Sequence, residues 1–164
     1  MLSKKMEEAL NQQINAELFA AYLYLSEATW FESVDLPGCA KWMAAHAQEE
    51  LGHAMRIYQH VHERRGRVTL AALEAPPTEW ESPLAAFQAA MEHEEKVTGK
   101  INDLVDLAAA EDDKPAAVFL QWFVSEQVEE EETLDGIIQQ FRRAGDAPQA
   151  LLMLDRAMGE RAGE

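Results

Sequence analysis

Gln48-Glu49-Glu50-Leu51-Gly52-His53-Ala54-Met55 carries the pair on which the reading of this chain turns, Glu50-x-x-His53. Another carboxylate, Glu17, lies 33 positions upstream of Glu50. A shift of 77 positions carries Glu17 onto Glu94, Glu49 onto Glu126, Glu50 onto Gln127 and His53 onto Glu130. Glu94 therefore precedes Gln127 by the same 33 residues. A lone Glu-x-x-His is common on any wet helix, but two matched copies, each with a carboxylate at one upstream distance, are not. The pattern predicts two helical hairpins that present carboxylates to a shared centre.

The chain has 164 residues, 48% of them hydrophobic, which suits one buried core and a single domain over residues 1–164. Against 14 basic residues stand 30 acidic ones, a formal charge of −16. Such a surface repels nucleic acid and anionic membrane and draws cations, so neither is expected as a partner. The single cysteine, Cys39, excludes an internal disulfide framework, a CxxC redox pair and a rubredoxin-type centre; it reads as a buried or partly buried thiol. The opening Met-Leu-Ser-Lys-Lys-Met-Glu-Glu lacks the apolar stretch of a signal peptide, and no segment approaches a membrane span. The expected compartment is the cytoplasm. Glycine-rich phosphate loops, HExxH and EF-hand loops are absent from the sequence.

Sparse punctuation divides the chain into four long helices, a bundle over about residues 4–144. The first runs from Lys4 to Ser33 and stops at Asp35-Leu36-Pro37-Gly38, where Asp35 is expected to cap the next helix and Pro37 to sit in its first turn. The second continues to Arg65, with Gly66 as its stop. A long connection from Gly66 to Glu81 is able to cross the whole bundle. Ser82-Pro83 opens the third helix, which lasts to about Ala110, and Asp113-Lys114-Pro115 opens the fourth, which ends near Gly145. Asp146 is expected to cap a short fifth helix over about residues 147–158, with Leu151, Leu152, Leu154 and Met158 on it. An apolar helix added to a complete bundle must bury itself, and other copies of the chain are the expected partners.

Positions three, four and seven apart share a helix face, so Glu17 aligns with Tyr24, Glu50 with His53, and Gln127 with Glu130. Glu94 points inward with Phe87, Met91, Thr98 and Ile101. Ionised carboxylates on a buried stripe are costly unless they are paired or hold a metal ion. Lysines and arginines at matching spacing are too few to pair them all, which leaves metal. A single imidazole among carboxylates suits Fe²⁺ or Mn²⁺ better than copper or a closed zinc site.

These motifs, together with Asn15-Ala16-Glu17, Tyr22-Leu23-Tyr24-Leu25, Glu92-His93-Glu94 and the run from Phe119 to Glu131, closely resemble those of bacterial and archaeal non-haem ferritins. The resemblance extends from the first helix to the fifth. It implies an all-α, ferritin-like four-helix bundle with a long crossover between helices 2 and 3 and a short C-terminal helix; ferritin-like carboxylate proteins are themselves the standard example of such a centre in a bundle. It further implies iron storage in a homo-oligomeric cage, for which 24 subunits is the expectation, with Fe²⁺ and dioxygen or peroxide as reactants. Two irons would lie in each subunit, with Glu50 bridging, Glu17 and His53 on one, Glu94 and Glu130 on the other, and Gln127 holding the second loosely. A third iron position is implied at Glu49, Glu126, Glu129 and the shared Glu130. Tyr24 would hydrogen-bond a ligand carboxylate and could supply an electron, with Trp122 a lesser redox candidate. Bacterioferritins would require a methionine at Leu51 for haem and a Glu-x-x-His where Gln127-x-x-Glu130 stands, so no haem is expected.

A di-iron or di-manganese oxidase or peroxidase on the same bundle, without storage, is the competing reading. Glu111, Asp112 and Asp113 are candidates for an iron-admitting channel or for helix caps. His60 and Glu63 are candidates for mineral nucleation at a cavity wall.

Overall fold

The computed structural model describes residues 1–163; Glu164, the last residue of the expected domain span, lies outside them. Five helices follow one another: α1 (Lys4–Ser33), α2 (Pro37–Glu63), α3 (Pro83–Ala110), α4 (Lys114–Ala144) and α5 (Pro148–Arg161). Ser3, Ser82 and Asp113 cap α1, α3 and α4 by accepting from the backbone N–H of Met6, Ala85 and Ala116. Each side-chain cap satisfies a donor that the helix cannot, worth about 1 kcal/mol.

The α1–α2 and α3–α4 hairpins pack through α1 and α3, joined by the long crossover. That strand of coil runs along α1. The Asn11 amide donates to Arg67 O at 2.9 Å and its carbonyl accepts from Thr69 N at 2.8 Å, Ser26 Oγ donates to Pro77 O, and Trp80 meets Trp30 edge-on at 5.7 Å. The core is in two parts. Phe31, Trp42, Met43, Phe87, Ile137 and Phe141 centre one, and Met6, Leu10, Ile57, Ile101, Leu120 and Phe123 centre the other. Along every bundle helix the acidic positions fall between these two apolar blocks, so that a polar layer crosses the middle of the molecule.

Three local expectations are corrected. Asp35 does not cap α2; it takes a left-handed conformation (φ 58°) that ends α1, and Leu36 precedes α2 without a side-chain cap. Arg65 (φ 60°), not Gly66, makes the left-handed turn after α2, while the Gly66 N–H closes the motif on Val61 O at 2.8 Å. Space is also tight at Gly66: a Cβ there would come within 2.8 Å of the Glu7 carboxylate and 2.9 Å of Val61, so those side chains would have to shift. Asp146 likewise leaves α5 uncapped, the helix starting instead with Pro148 in its first turn.

The largest correction concerns α5. Its apolar residues do not all await other copies: Met158 is buried, and Leu151 and Leu154 pack on the core containing Trp42 and Met43. Asp155 Oδ1 accepts from the backbone N–H of Cys39 at 2.8 Å, satisfying one of the free donors at the start of α2. Gly38 permits the approach, because a Cβ there would lie 1.8 Å from the Asp155 carbonyl oxygen. Leu152 and Met153 are left exposed on the far side. Among the described residues no helix is long and apolar enough to cross a membrane.

Candidate metal centre

Glu17 from α1, Glu50 and His53 from α2, Glu94 from α3, and Gln127 and Glu130 from α4 are all buried in the polar layer. His53 Nδ1 lies 3.4 Å from Glu50 Oε2 and 4.0 Å from Glu17 Oε2. One donor atom from each of these three residues falls within 4.8 Å of the others. Gln13 holds Glu17 in place by donating from Nε2 to Oε1 at 2.7 Å. On the opposite side Glu94 accepts from the Tyr24 hydroxyl at 2.8 Å and from Gln127 Nε2 at 3.1 Å. Gln127 also donates to Thr98 Oγ1 at 3.2 Å.

Neither Lys nor Arg forms an ion pair with these carboxylates among the described residues. Glu17 Oε2 and Glu50 Oε1 are buried without any hydrogen-bond partner. Burial, followed by repulsion from Glu50, pushes the Glu17 carboxyl up to about 8. Glu94 is raised to about 7 by burial, against the opposing hydrogen bond from Gln127. Glu50 is also held well above the ordinary carboxylate range by burial and by Glu94, and burial beside Glu94 keeps the Tyr24 phenol protonated. Several acids in a low-dielectric layer, with oxygen atoms facing no donor, suit a divalent cation better than any internal pairing.

Around this centre the other predicted residues divide. Glu126 Oε1 lies 3.7 Å from His53 Nε2 and groups with His53 and Glu130. Glu49 joins Glu130 in a second group, completed by His46. Glu129 is exposed and belongs to neither group. Trp122 is half-buried, its ring edge-on to His53 at 5.3 Å and beneath the Arg56 guanidinium at 4.1 Å. Asp113 is a helix cap and binds Arg64 through both oxygens at 3.0 and 3.1 Å, while Glu111 accepts from the Ser3 hydroxyl. His60 is buried flat against Phe119 at 3.8 Å, and Glu63 is exposed.

Sequence reasoning missed His46, Gln13 and Glu27. His46 is one heptad before His53 and one turn before Glu50, a spacing that places it on the same face. Gln13 precedes Glu17 by one turn in the same way. Glu27 is fully buried with both carboxyl oxygens unpartnered, and burial raises its carboxyl well above the ordinary carboxylate range.

The chain is similar over most of its length to known proteins. The Ferritin-like domain family matches residues 7–144. A bacterial non-heme ferritin of Bacteroides fragilis is 42% identical over 161 residues, covering 98% of this chain and all of that protein. The bacterial non-heme ferritin of Escherichia coli O6:H1 is 35% identical, with 96% of each chain covered. Among solved structures, an open pore ferritin from Archaeoglobus fulgidus superposes with a TM-score of 0.96 at 51% identity, covering 97% of this chain and 98% of its own. With these matches over nearly its whole length, the chain belongs to the ferritin family.

Proposed function

We propose that this protein stores and detoxifies iron, oxidising Fe²⁺ at the buried layer and keeping the ferric product inside a shell of identical subunits. The observation that carries the reading is the convergence of Glu17, Glu50, His53, Glu94 and Glu130 from four helices with no basic partner and with unpartnered oxygens facing inward. Fe²⁺ is the substrate. Glu17 and His53 would hold one ion, Glu94 and Glu130 the other, and Glu50 would bridge them. Two Fe²⁺ roughly 3.5–4 Å apart each give one electron to a single dioxygen, which takes up two protons and leaves as hydrogen peroxide. Neutral Gln127, already donating to Glu94, adds no charge at the second position, so that ion is released more readily to mineral.

Tyr24 fixes Glu94 through its hydroxyl and is the nearest phenol able to supply an electron. Glu49, Glu126 and Glu129, with Glu130, are assigned to a third iron position beside the pair. The reading includes a 24-subunit cage, no haem, and residence in the cytoplasm, whose reducing state suits the free, buried Cys39 thiol.

Glu50→Ala and His53→Ala should each abolish rapid Fe²⁺ oxidation, followed by stopped-flow absorbance after mixing in air, with helical content retained. Wild-type rates in both variants would remove the centre. Size-exclusion chromatography after aerobic loading separates storage from an oxidase or peroxidase, since tens of irons per subunit, on the order of ten times any discrete ligand set, mean a mineral.

A further inference from the structure

We propose that a small, largely apolar cavity between α3 and α4 admits the neutral oxidant, dioxygen, to the buried layer, with the Gln127 amide as its inner gate. The route rests on the iron-oxidising reading above, in which dioxygen takes its two electrons from the two Fe²⁺. The cavity measures about 200 Å³, room for several molecules of the size of water at about 30 Å³ each. Ile101, Val124 and Val128 supply its apolar wall. Val128 and Asn102 are exposed at its rim, whereas Ile101 is fully buried and Gln127 is only 3% exposed. It therefore runs from solvent to the polar layer.

Gln127 alone stands between that inner end and Glu94. Its Nε2 lies 3.1 Å from Glu94 Oε2, 3.3 Å from Glu94 O and 3.2 Å from Thr98 Oγ1. An amide nitrogen has two hydrogens for these three acceptors, so it can part from Thr98 and still hold Glu94. The Thr98 hydroxyl is itself given to Glu131, whose carboxylate is the one charged group among the described lining residues. An apolar wall strips water from a cation without replacing it, whereas dioxygen, uncharged and apolar, loses nothing by entering. The formal charge of −16 governs the approach of ions and leaves a neutral molecule indifferent. A larger groove of about 570 Å³ between α1 and α3 reaches Gln13, but Lys5, Lys100, Asp103 and Asp106 line it, and it suits a neutral apolar molecule less well.

Stopped-flow rates of Fe²⁺ oxidation by the full-length protein, measured against dioxygen concentration, test the route. Val124→Phe fills the cavity and should lower the second-order rate constant for dioxygen by about fivefold or more, while saturating dioxygen restores the wild-type maximum. Anaerobic Co²⁺ stoichiometry, by equilibrium dialysis, should stay that of wild type, which separates a blocked path from a damaged centre. Val128→Trp at the exposed rim should lower the same constant and decides the matter if Val124→Phe fails to fold. Ala9→Phe, in the groove at Gln13, should leave it unchanged. A wild-type constant in the folded cavity variant, or a loss confined to Ala9→Phe, overturns the proposal. So does loss of a Co²⁺ equivalent in Glu131→Gln, which would make the cavity a cation site. Absence of Fe²⁺ oxidation in the wild type would remove the functional reading and the route together, whereas an unchanged dioxygen dependence removes the route alone.

Discussion

Raising the pH of the metal-free protein from 5 to 7 should weaken its fold, and a divalent cation should reverse the loss. Glu17 titrates near 8 and Glu94 near 7 in the folded chain, each raised from 4.5 chiefly by burial. A carboxyl raised by folding contributes stability that is complete below its unfolded pKa and is lost as pH rises through the folded value, because the unfolded chain ionises first. At about 1.4 kcal/mol per pH unit, each group removes on the order of 2–3 kcal/mol between pH 5 and 7. Even one such loss is a large share of the roughly 5–15 kcal/mol that stabilises an ordinary domain. Guanidinium unfolding of EDTA-treated protein, followed by far-UV circular dichroism at pH 5, 6 and 7, should show the midpoint falling. Glu17→Gln/Glu94→Gln replaces both acids with neutral amides and should flatten that fall. Saturating Mn²⁺ should make the midpoint rise with pH, since protons and metal compete for the same oxygens. A flat or rising curve for the metal-free protein, or the wild-type slope in the double variant, would refute the electrostatic account of the layer.

Replacing Glu126 and Glu129 with Ala should leave the first two Fe²⁺ per subunit oxidised while changing the iron-to-oxygen ratio and slowing later rounds; loss of the first phase in stopped-flow traces would place these residues in the main centre. Truncation after Gly145 should cost about 3 kcal/mol, from the lost bond at the start of α2 and the lost Met158 burial, and ferric product should precipitate although Fe²⁺ is still oxidised. An intact, iron-retaining particle from that chain, seen by analytical ultracentrifugation, would show α5 to be dispensable. Gly38→Val should resemble the truncation, because its Cβ would coincide with the Asp155 carbonyl at 1.8 Å; a wild-type unfolding midpoint would show that α5 does not bear on α2 as described.

The four bundle helices and the convergence of their acids were legible because both depend on local, periodic signals. Helical spacing placed Glu17, Glu50, His53, Glu94, Gln127 and Glu130 on inward faces, and burial of all six follows from the apolar residues flanking them. Ser82 and Asp113 were legible as caps because a cap acts within three residues. What escaped was non-local. That Asp155 would bind the start of α2 depends on where α5 lies, which no spacing within α5 records. His46 carried a usable signal in its one-heptad distance from His53, but its stacking on Trp42 and its meeting with Glu130 from another helix did not. Leu151 and Met158 showed that α5 must bury a face, without showing that the face belongs to its own subunit.

The bond from Cys39 to Asp155 also bears on the order in which the chain matures. The two residues are 116 positions apart, so during synthesis α2 emerges and pairs with α1 long before its own first turn finds a partner. The hairpins form from nearby contacts, which close quickly, whereas this contact waits for the final helix. A chain that stops short keeps an unsatisfied donor and an uncovered apolar patch beside Trp42. The first turn of the helix that carries Glu50 and His53 is thereby completed only by the last helix of the chain.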